Sequence, residues 1–193
     1  KQNIDVVCFT GHKSLYGPQG TGGICIKKGI NIAPLKVGGS GIKTFEKTAP
    51  NSMPEHIEAG TVNSHSIAGL KAGLEFIQET GISKIREKEN MLVKLFYDNI
   101  KDIKNIKIYG DFSVKERGPI VSVNLGNYSS SSVSDELFER FEIATRSGGH
   151  CAPLMHKALG TKKQGAVRFS FSYFNTEDEV LFAAKALKIL GEE

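Results

Sequence analysis

The chain has 193 residues and a mass of 21.0 kDa, with 39% hydrophobic and 24% charged residues, a balance that points to neither a disordered nor a membrane-embedded protein. Its net charge of +4 is modest, and the lysines are scattered among acids with no basic face interleaved with aromatics, so nucleic-acid binding is not indicated. No apolar run approaches the ~20 residues a spanning helix needs, and three cysteines at wide spacing argue against a disulfide framework and for a reducing compartment such as the cytoplasm.

The first predicted element is a buried strand over Ile4–Phe9, followed by the loop Thr10-Gly-His-Lys13-Ser-Leu-Tyr16-Gly17-Pro18 and a second strand, Gly23-Ile-Cys-Ile-Lys27. This unit is expected at the centre of a mostly parallel sheet, with Cys8 and Cys25 in the core. Lys13 has two readings. A lysine beside an apolar wall loses solvation and becomes a usable amine toward aldehydes, whereas an ordinary loop lysine is simply exposed. The glycines at 17–23 do not form a phosphate loop, since no Gly-Lys-Ser/Thr closes them and a strand follows where a helix would begin. A dinucleotide fingerprint fails for the same reason.

Residues 30–54 are loop-rich, with Gly38-Gly39-Ser40-Gly41 and three prolines, and are expected to be mobile. Glu58–Asn63 leads into a helix over 64–79 with Ile67, Leu70, Leu74 and Ile77 on one face, stopped by Gly81. A second helix over 82–100 carries Ile85, Leu92, Leu95, Phe96 and Ile100 and reads as a connector between domains. Strands are expected at 106–109 and 120–125, a polar turn at Ser129–Ser132, a helix from about Ser134, and a strand at 143–146. The loop Arg146-Ser-Gly-Gly-His-Cys151-Ala-Pro follows. A short helix over 154–159, a strand over 166–172 and a last helix to Leu190, opened by the capping box Thr176-x-x-Glu179, complete the chain. There is no internal repeat.

Four motifs taken in order resemble the cysteine desulfurase branch of the class V, fold-type I pyridoxal-phosphate enzymes: Thr10-Gly-His-Lys13 with Tyr16-Gly-Pro18, Glu58-Ala-Gly-Thr61-Val-Asn63, Arg146-Ser-Gly-Gly-His-Cys151-Ala-Pro153, and Val167-Arg168-Phe-Ser with Tyr173-Phe-Asn-Thr176. The resemblance implies an α/β fold. Residues 1–90 are expected to be the C-terminal part of the cofactor-binding large domain and 91–193 a small αβ domain carrying the cysteine loop. In this family the cofactor lysine lies near mid-chain, so the sequence reads as a C-terminal half. The family's ring-stacking histidine, pyridine-nitrogen aspartate and ring-oxygen glutamine precede the lysine and have no counterparts here.

By the same resemblance the cofactor is pyridoxal 5'-phosphate, condensed with Lys13, which later moves protons. Thr10 and His12 correspond to phosphate ligands, and Thr61 to the threonine that reaches the phosphate of the other subunit in a homodimer; otherwise His12 is a packed loop histidine and Thr61 a helix-entry residue. Cys151 corresponds to the nucleophile that takes sulfur from L-cysteine as a persulfide, releasing alanine and later passing the sulfur to an acceptor protein. A buried structural cysteine is the alternative. Arg168 corresponds to the arginine that grips the substrate carboxylate, a task that suits its planar fork. Arg168 is otherwise a surface ion-pair member at a strand end, and Arg146 faces the same choice or instead holds the loop. Gly149 departs from the second histidine of many relatives, and a zinc site at His150, Cys151 and His156 lacks a fourth ligand, so no metal is expected. Three functions are therefore open: a cysteine desulfurase-like enzyme whose half chain is inactive alone, a class V aminotransferase or selenocysteine lyase, and a non-catalytic folding or dimerisation unit.

Overall fold

The structure, a computed structural model, describes residues 3–115 and 117–193. The chain divides into two compact units, residues 1–81 and 82–193.

In the first unit, strands β1 (Val6–Thr10) and β2 (Gly22–Ile26) pair in antiparallel register, Val6 opposite Ile26 and Thr10 opposite Gly22. The pair is a hairpin, not part of the parallel sheet expected from the sequence, because the intervening loop turns the chain straight back. Among the described residues it has two strands, and both faces are open. Val7, Phe9 and Ile24 are exposed, and so are Cys8 and Cys25, which the sequence had placed in a core. The residues between β2 and the next helix form turns and bends with no regular element. Helix α1 (Ser64–Thr80) is capped by Asn63, whose side-chain oxygen accepts from the Ser66 N–H at 3.3 Å, and ends with the Gly81 N–H donating to the Ile77 carbonyl at 2.9 Å. Leu70 and Gly73 are its buried residues, while Ile67 and Leu74 of the expected apolar face stay exposed.

The second unit begins with helix α2 (Ile82–Ile100), whose bounds match the apolar periodicity. Strands β3 (Ile106–Tyr109), β4 (Ile120–Leu125) and β5 (Val167–Ser170) form an antiparallel sheet in the order β3-β4-β5. Helices α3 (Ser130–Phe141) and α4 (Pro153–Ala158) lie in the chain between β4 and β5, and α5 (Glu177–Glu192) ends it. Alternation decides which side chains enter the core. Val121 opposite Phe169 and Val123 opposite Val167 are buried, whereas Ser122 opposite Arg168 lies on the other face. Leu92, Phe96 and Ile100 of α2, Leu137 of α3 and Val180, Ala184 and Leu187 of α5 complete this core.

Two local expectations change. The serines at 129–132 are not merely a turn: Ser129 accepts from the Ser132 N–H at 3.1 Å, so it caps α3 and the helix starts four residues earlier than Ser134. The strand expected at 143–146 is reduced to one bridge, between Arg146 and Arg168. Thr176 and Glu179 make both bonds of the capping box that opens α5, at 3.2 and 2.9 Å.

Phe96 is fully buried, with its ring centroid 4.6 Å from that of Phe169 and 5.2 Å from that of Phe171. Truncating it leaves a cavity between helix and sheet that this packing cannot close. Phe96→Ala is expected to destabilise the chain by about 3–5 kcal/mol, read as a lower denaturant midpoint; a loss below about 1 kcal/mol would contradict this packing.

Candidate active site

The lysine loop joins β1 to β2. Gly11 closes it at both ends, donating its N–H to the Thr21 carbonyl and accepting from the Gly17 N–H, each at 2.9 Å. The Lys13 carbonyl accepts from the Tyr16 N–H at 3.0 Å, and Tyr16 holds the left-handed conformation this turn requires (φ 55°). The buried hydroxyl of Thr21 donates to the Pro18 carbonyl at 2.6 Å. These bonds fix the backbone and leave the side chains outward: Thr10, His12 and Lys13 are all exposed. The desolvating wall that the sequence suggested for Lys13 is thus not formed around it here. Thr61 is exposed as well, and the cap of α1 is made by Asn63, two residues on.

Sequence reasoning passed over the residue on which this loop rests. Gly73 of α1 lies so close that a Cβ there would stand 2.5 Å from the Leu15 carbonyl oxygen and 3.0 Å from the Tyr16 carbonyl carbon. A bare helix face lets the loop backbone lie directly on it. The signal was a glycine inside a helical pattern, which costs helix propensity and so asks for a packing reason.

The cysteine loop is braced from three sides within the second unit. Arg146 donates its N–H to the Arg168 carbonyl at 3.2 Å and accepts from the Arg168 N–H at 2.8 Å. Ser130, at the start of α3, accepts from the Gly148 N–H at 3.1 Å, and the Gly148 carbonyl accepts from the Ala166 N–H at 3.2 Å. Asn124 of β4 donates to the Gly165 carbonyl at 3.0 Å. A Cβ at Gly165 would stand 2.8 Å from Gly148 Cα, so the segment before β5 presses against the loop as only glycine allows. Ser130, Asn124 and Gly165 had no mark in the sequence, because their partners are 18 to 41 positions away.

At the apex His150 (φ 51°) and Cys151 (φ 58°) are both left-handed, a conformation that costs about 1 kcal/mol or more at each non-glycine residue. The Ala152 N–H donates back to the Gly149 carbonyl at 2.8 Å. This winding lifts Cys151 into the open, so the buried structural reading does not apply. The Arg146 guanidinium donates from Nη2 to Cys151 Sγ at 3.3 Å. His150 Nε2 lies 2.8 Å from the Arg146 carbonyl oxygen, which can only accept, so Nε2 carries the proton. Arg168 donates from Nε to the Ser170 hydroxyl at 3.1 Å on the sheet face away from the core. His156 is buried and its Nδ1 is 2.7 Å from the Thr161 hydroxyl. Among the described residues no three His, Cys, Asp or Glu side chains are grouped to hold a metal ion.

Residues 1–182 match the family described as aminotransferase class-V. The chain belongs to that family. It is 33% identical to a cysteine desulfurase of Salmonella agona over 183 residues, covering 92% of this chain and 43% of the relative. It is 35% identical to a probable cysteine desulfurase of Pyrococcus abyssi over 184 residues, covering 93% and 45%. Among solved structures it is similar to the apo cysteine desulfurase of Thermococcus onnurineus NA1, with a TM-score of 0.82 and 28% identity over 97% of this chain and 47% of that one. The cysteine desulfurase CsdA (S-sulfonic acid) from Escherichia coli gives a TM-score of 0.85 and 26% identity over 98% and 47%. The chain spans less than half the length of these relatives. Membership explains the α/β fold. Among the described residues no helix is long and apolar enough to cross a membrane.

Two measurements check this geometry. Burial pushes the His150 imidazole below its ordinary value of 6.5; the bond to the Arg146 carbonyl opposes this, and the nearby charges of Arg168, His156 and Arg146 add to the lowering. The unfolded chain therefore binds more protons here than the folded one. The resulting stability is present above the ordinary histidine value and is lost as pH falls through the folded one. An NMR titration of His150 is expected to show a midpoint below 6.5, and a midpoint at or above it would contradict the burial. Separately, Gly73→Ala gains helix propensity but drives a methyl into the Leu15 carbonyl, so a net loss of about 1–2 kcal/mol is expected in thermal unfolding of the chain. A stabilised variant would show that the loop does not rest on this helix.

Proposed function

We propose that the whole protein to which this chain corresponds is a pyridoxal-phosphate-dependent cysteine desulfurase, converting L-cysteine to alanine and a persulfide on Cys151. The observation that supports this reading is an exposed Cys151, held at the tip of a braced loop within hydrogen-bonding distance of a guanidinium, in a chain whose relatives are cysteine desulfurases.

The donors of the lysine loop suit the two ends of the cofactor. Lys13 brings an amine for the aldehyde, while Thr10, His12 and, from the other subunit of a homodimer, Thr61 bring hydroxyl and imidazole donors for the phosphate. The residues that the resemblance assigns to the ring have no counterparts among these 193. When bound, the cofactor supplies an electron sink for bonds at the substrate α-carbon. Arg168, whose Nε is fixed on Ser170, presents its two terminal nitrogens to the substrate carboxylate. Cys151 as the thiolate attacks the substrate sulfur; an S–S bond forms as the substrate Cβ–S bond breaks, and Cβ takes up a proton, with Lys13 as the proton carrier, to give alanine. The persulfide then passes to a sulfur-acceptor protein. Residues 1–90 serve as the C-terminal part of the cofactor-binding large domain and 91–193 as the small domain. Three free, exposed thiols suit a reducing cytoplasm.

In the full-length protein, Cys151→Ala is expected to keep the bound cofactor's colour and lose alanine formation by at least about 100-fold, as befits removal of a nucleophile. Unchanged turnover would favour a class V aminotransferase or selenocysteine lyase. The 193-residue chain mixed with pyridoxal phosphate is expected to give little borohydride-trappable adduct, as a folding or dimerisation unit would. Stoichiometric adduct on Lys13, absent in Lys13→Ala, would show that this chain holds the cofactor by itself.

A further inference from the structure

Beside Cys151 stand two candidates for the group that activates it, His150 next in sequence and Arg146 five positions before, and the geometry separates them. His150 spends its Nε2 proton on the Arg146 carbonyl at 2.8 Å, and its ring lies 5.2 Å from that of His156. Burial favours its neutral form. It is thus a brace of the loop. Arg146 differs on every point. Its backbone is fixed in both directions by Arg168, and its guanidinium, permanently charged, donates Nη2 to Sγ at 3.3 Å. A charged donor on sulfur favours the anion that does the chemistry.

We propose that Arg146, not His150, is the charge partner of Cys151: a positioning residue that pairs with the thiolate and aims it from the loop. The proposal rests on the reading of Cys151 as the sulfur-accepting nucleophile. It also divides the labour of the two arginines, Arg146 serving the protein's sulfur and Arg168 the substrate carboxylate. Among the described residues, the charged groups that act on His150 are Arg168, His156 and Arg146, and Arg146 also donates to Cys151.

The test uses the 193-residue chain with Cys8→Ser and Cys25→Ser, so that Cys151 is its one thiol, and measures alkylation by iodoacetamide. At pH 7, Arg146→Gln is expected to slow the reaction about threefold, since ion pairing of an exposed thiolate is screened and its nucleophilicity partly offsets its abundance. The difference is expected to vanish near pH 10.5, where every such thiol is ionised. Arg146→Lys, which keeps the charge, restores most of the pH 7 rate, and His150→Gln lowers it less than Arg146→Gln. Should Arg146→Gln fail to fold by circular dichroism, the parent chain decides: its pH 7 rate should fall as sodium chloride rises from about 20 mM to about 500 mM. Equal rates for the parent and a folded Arg146→Gln at pH 7, a gap that persists at pH 10.5, or a salt-independent parent rate would overturn the proposal. Alkylation needs no turnover, so an Arg146 effect on the thiol together with a full-length protein that makes no alanine from cysteine sinks the functional reading, while the pairing of Arg146 with Cys151 stands.

Discussion

Two backbone hydrogen bonds between Arg146 and Arg168 hold the cysteine loop to the edge of the sheet, and the core of the second unit lies under that edge. β5 is paired on one side by β4, and its alternate residues Val167 and Phe169 are buried with Val121 and Val123. The outer side of β5 would be a row of unpaired donors and acceptors. Arg146 takes up part of that row, and the chain then has six residues in which to rise to Cys151 and turn into α4. Its left-handed windings at Gly148, His150 and Cys151 are the result of that short span.

The first unit solves a similar problem with different means. A hairpin of two strands has little core of its own and is marginal in isolation. Its loop is held by the bonds of Gly11 to Thr21 and Gly17, and by lying directly on the bare stretch of α1 at Gly73. This ties down the backbone around Lys13 and leaves the amine exposed. The open faces of β1 and β2 leave Val7, Phe9 and Ile24 exposed.

The two loops share a design in which glycine acts by what it leaves out. At Gly73 and Gly165 the absent Cβ lets one backbone lie against another, with Lys13 and Cys151 a few positions from the two points of contact. Such contacts hold a loop without covering the side chains at its tip. They also leave the surroundings of Cys151 to side chains, with the Arg146 guanidinium donating to Sγ and burial lowering the His150 imidazole below its ordinary value.

Helical periodicity alone fixed the bounds of α2, and the Thr176-x-x-Glu179 pattern located the start of α5, because both signals act within four residues and need no distant partner. The motifs around Lys13, Thr61, Cys151 and Arg168 were legible for the same reason: each is a short run. Strand direction, the exposure of Cys8 and Cys25, the collapse of the 143–146 strand to one bridge and the pairing of Arg146 with sulfur were decided in three dimensions. An apolar run reads the same whether it has two neighbours or none, and a guanidinium finds its thiol only once Arg168, more than twenty residues away, has fixed the backbone between them.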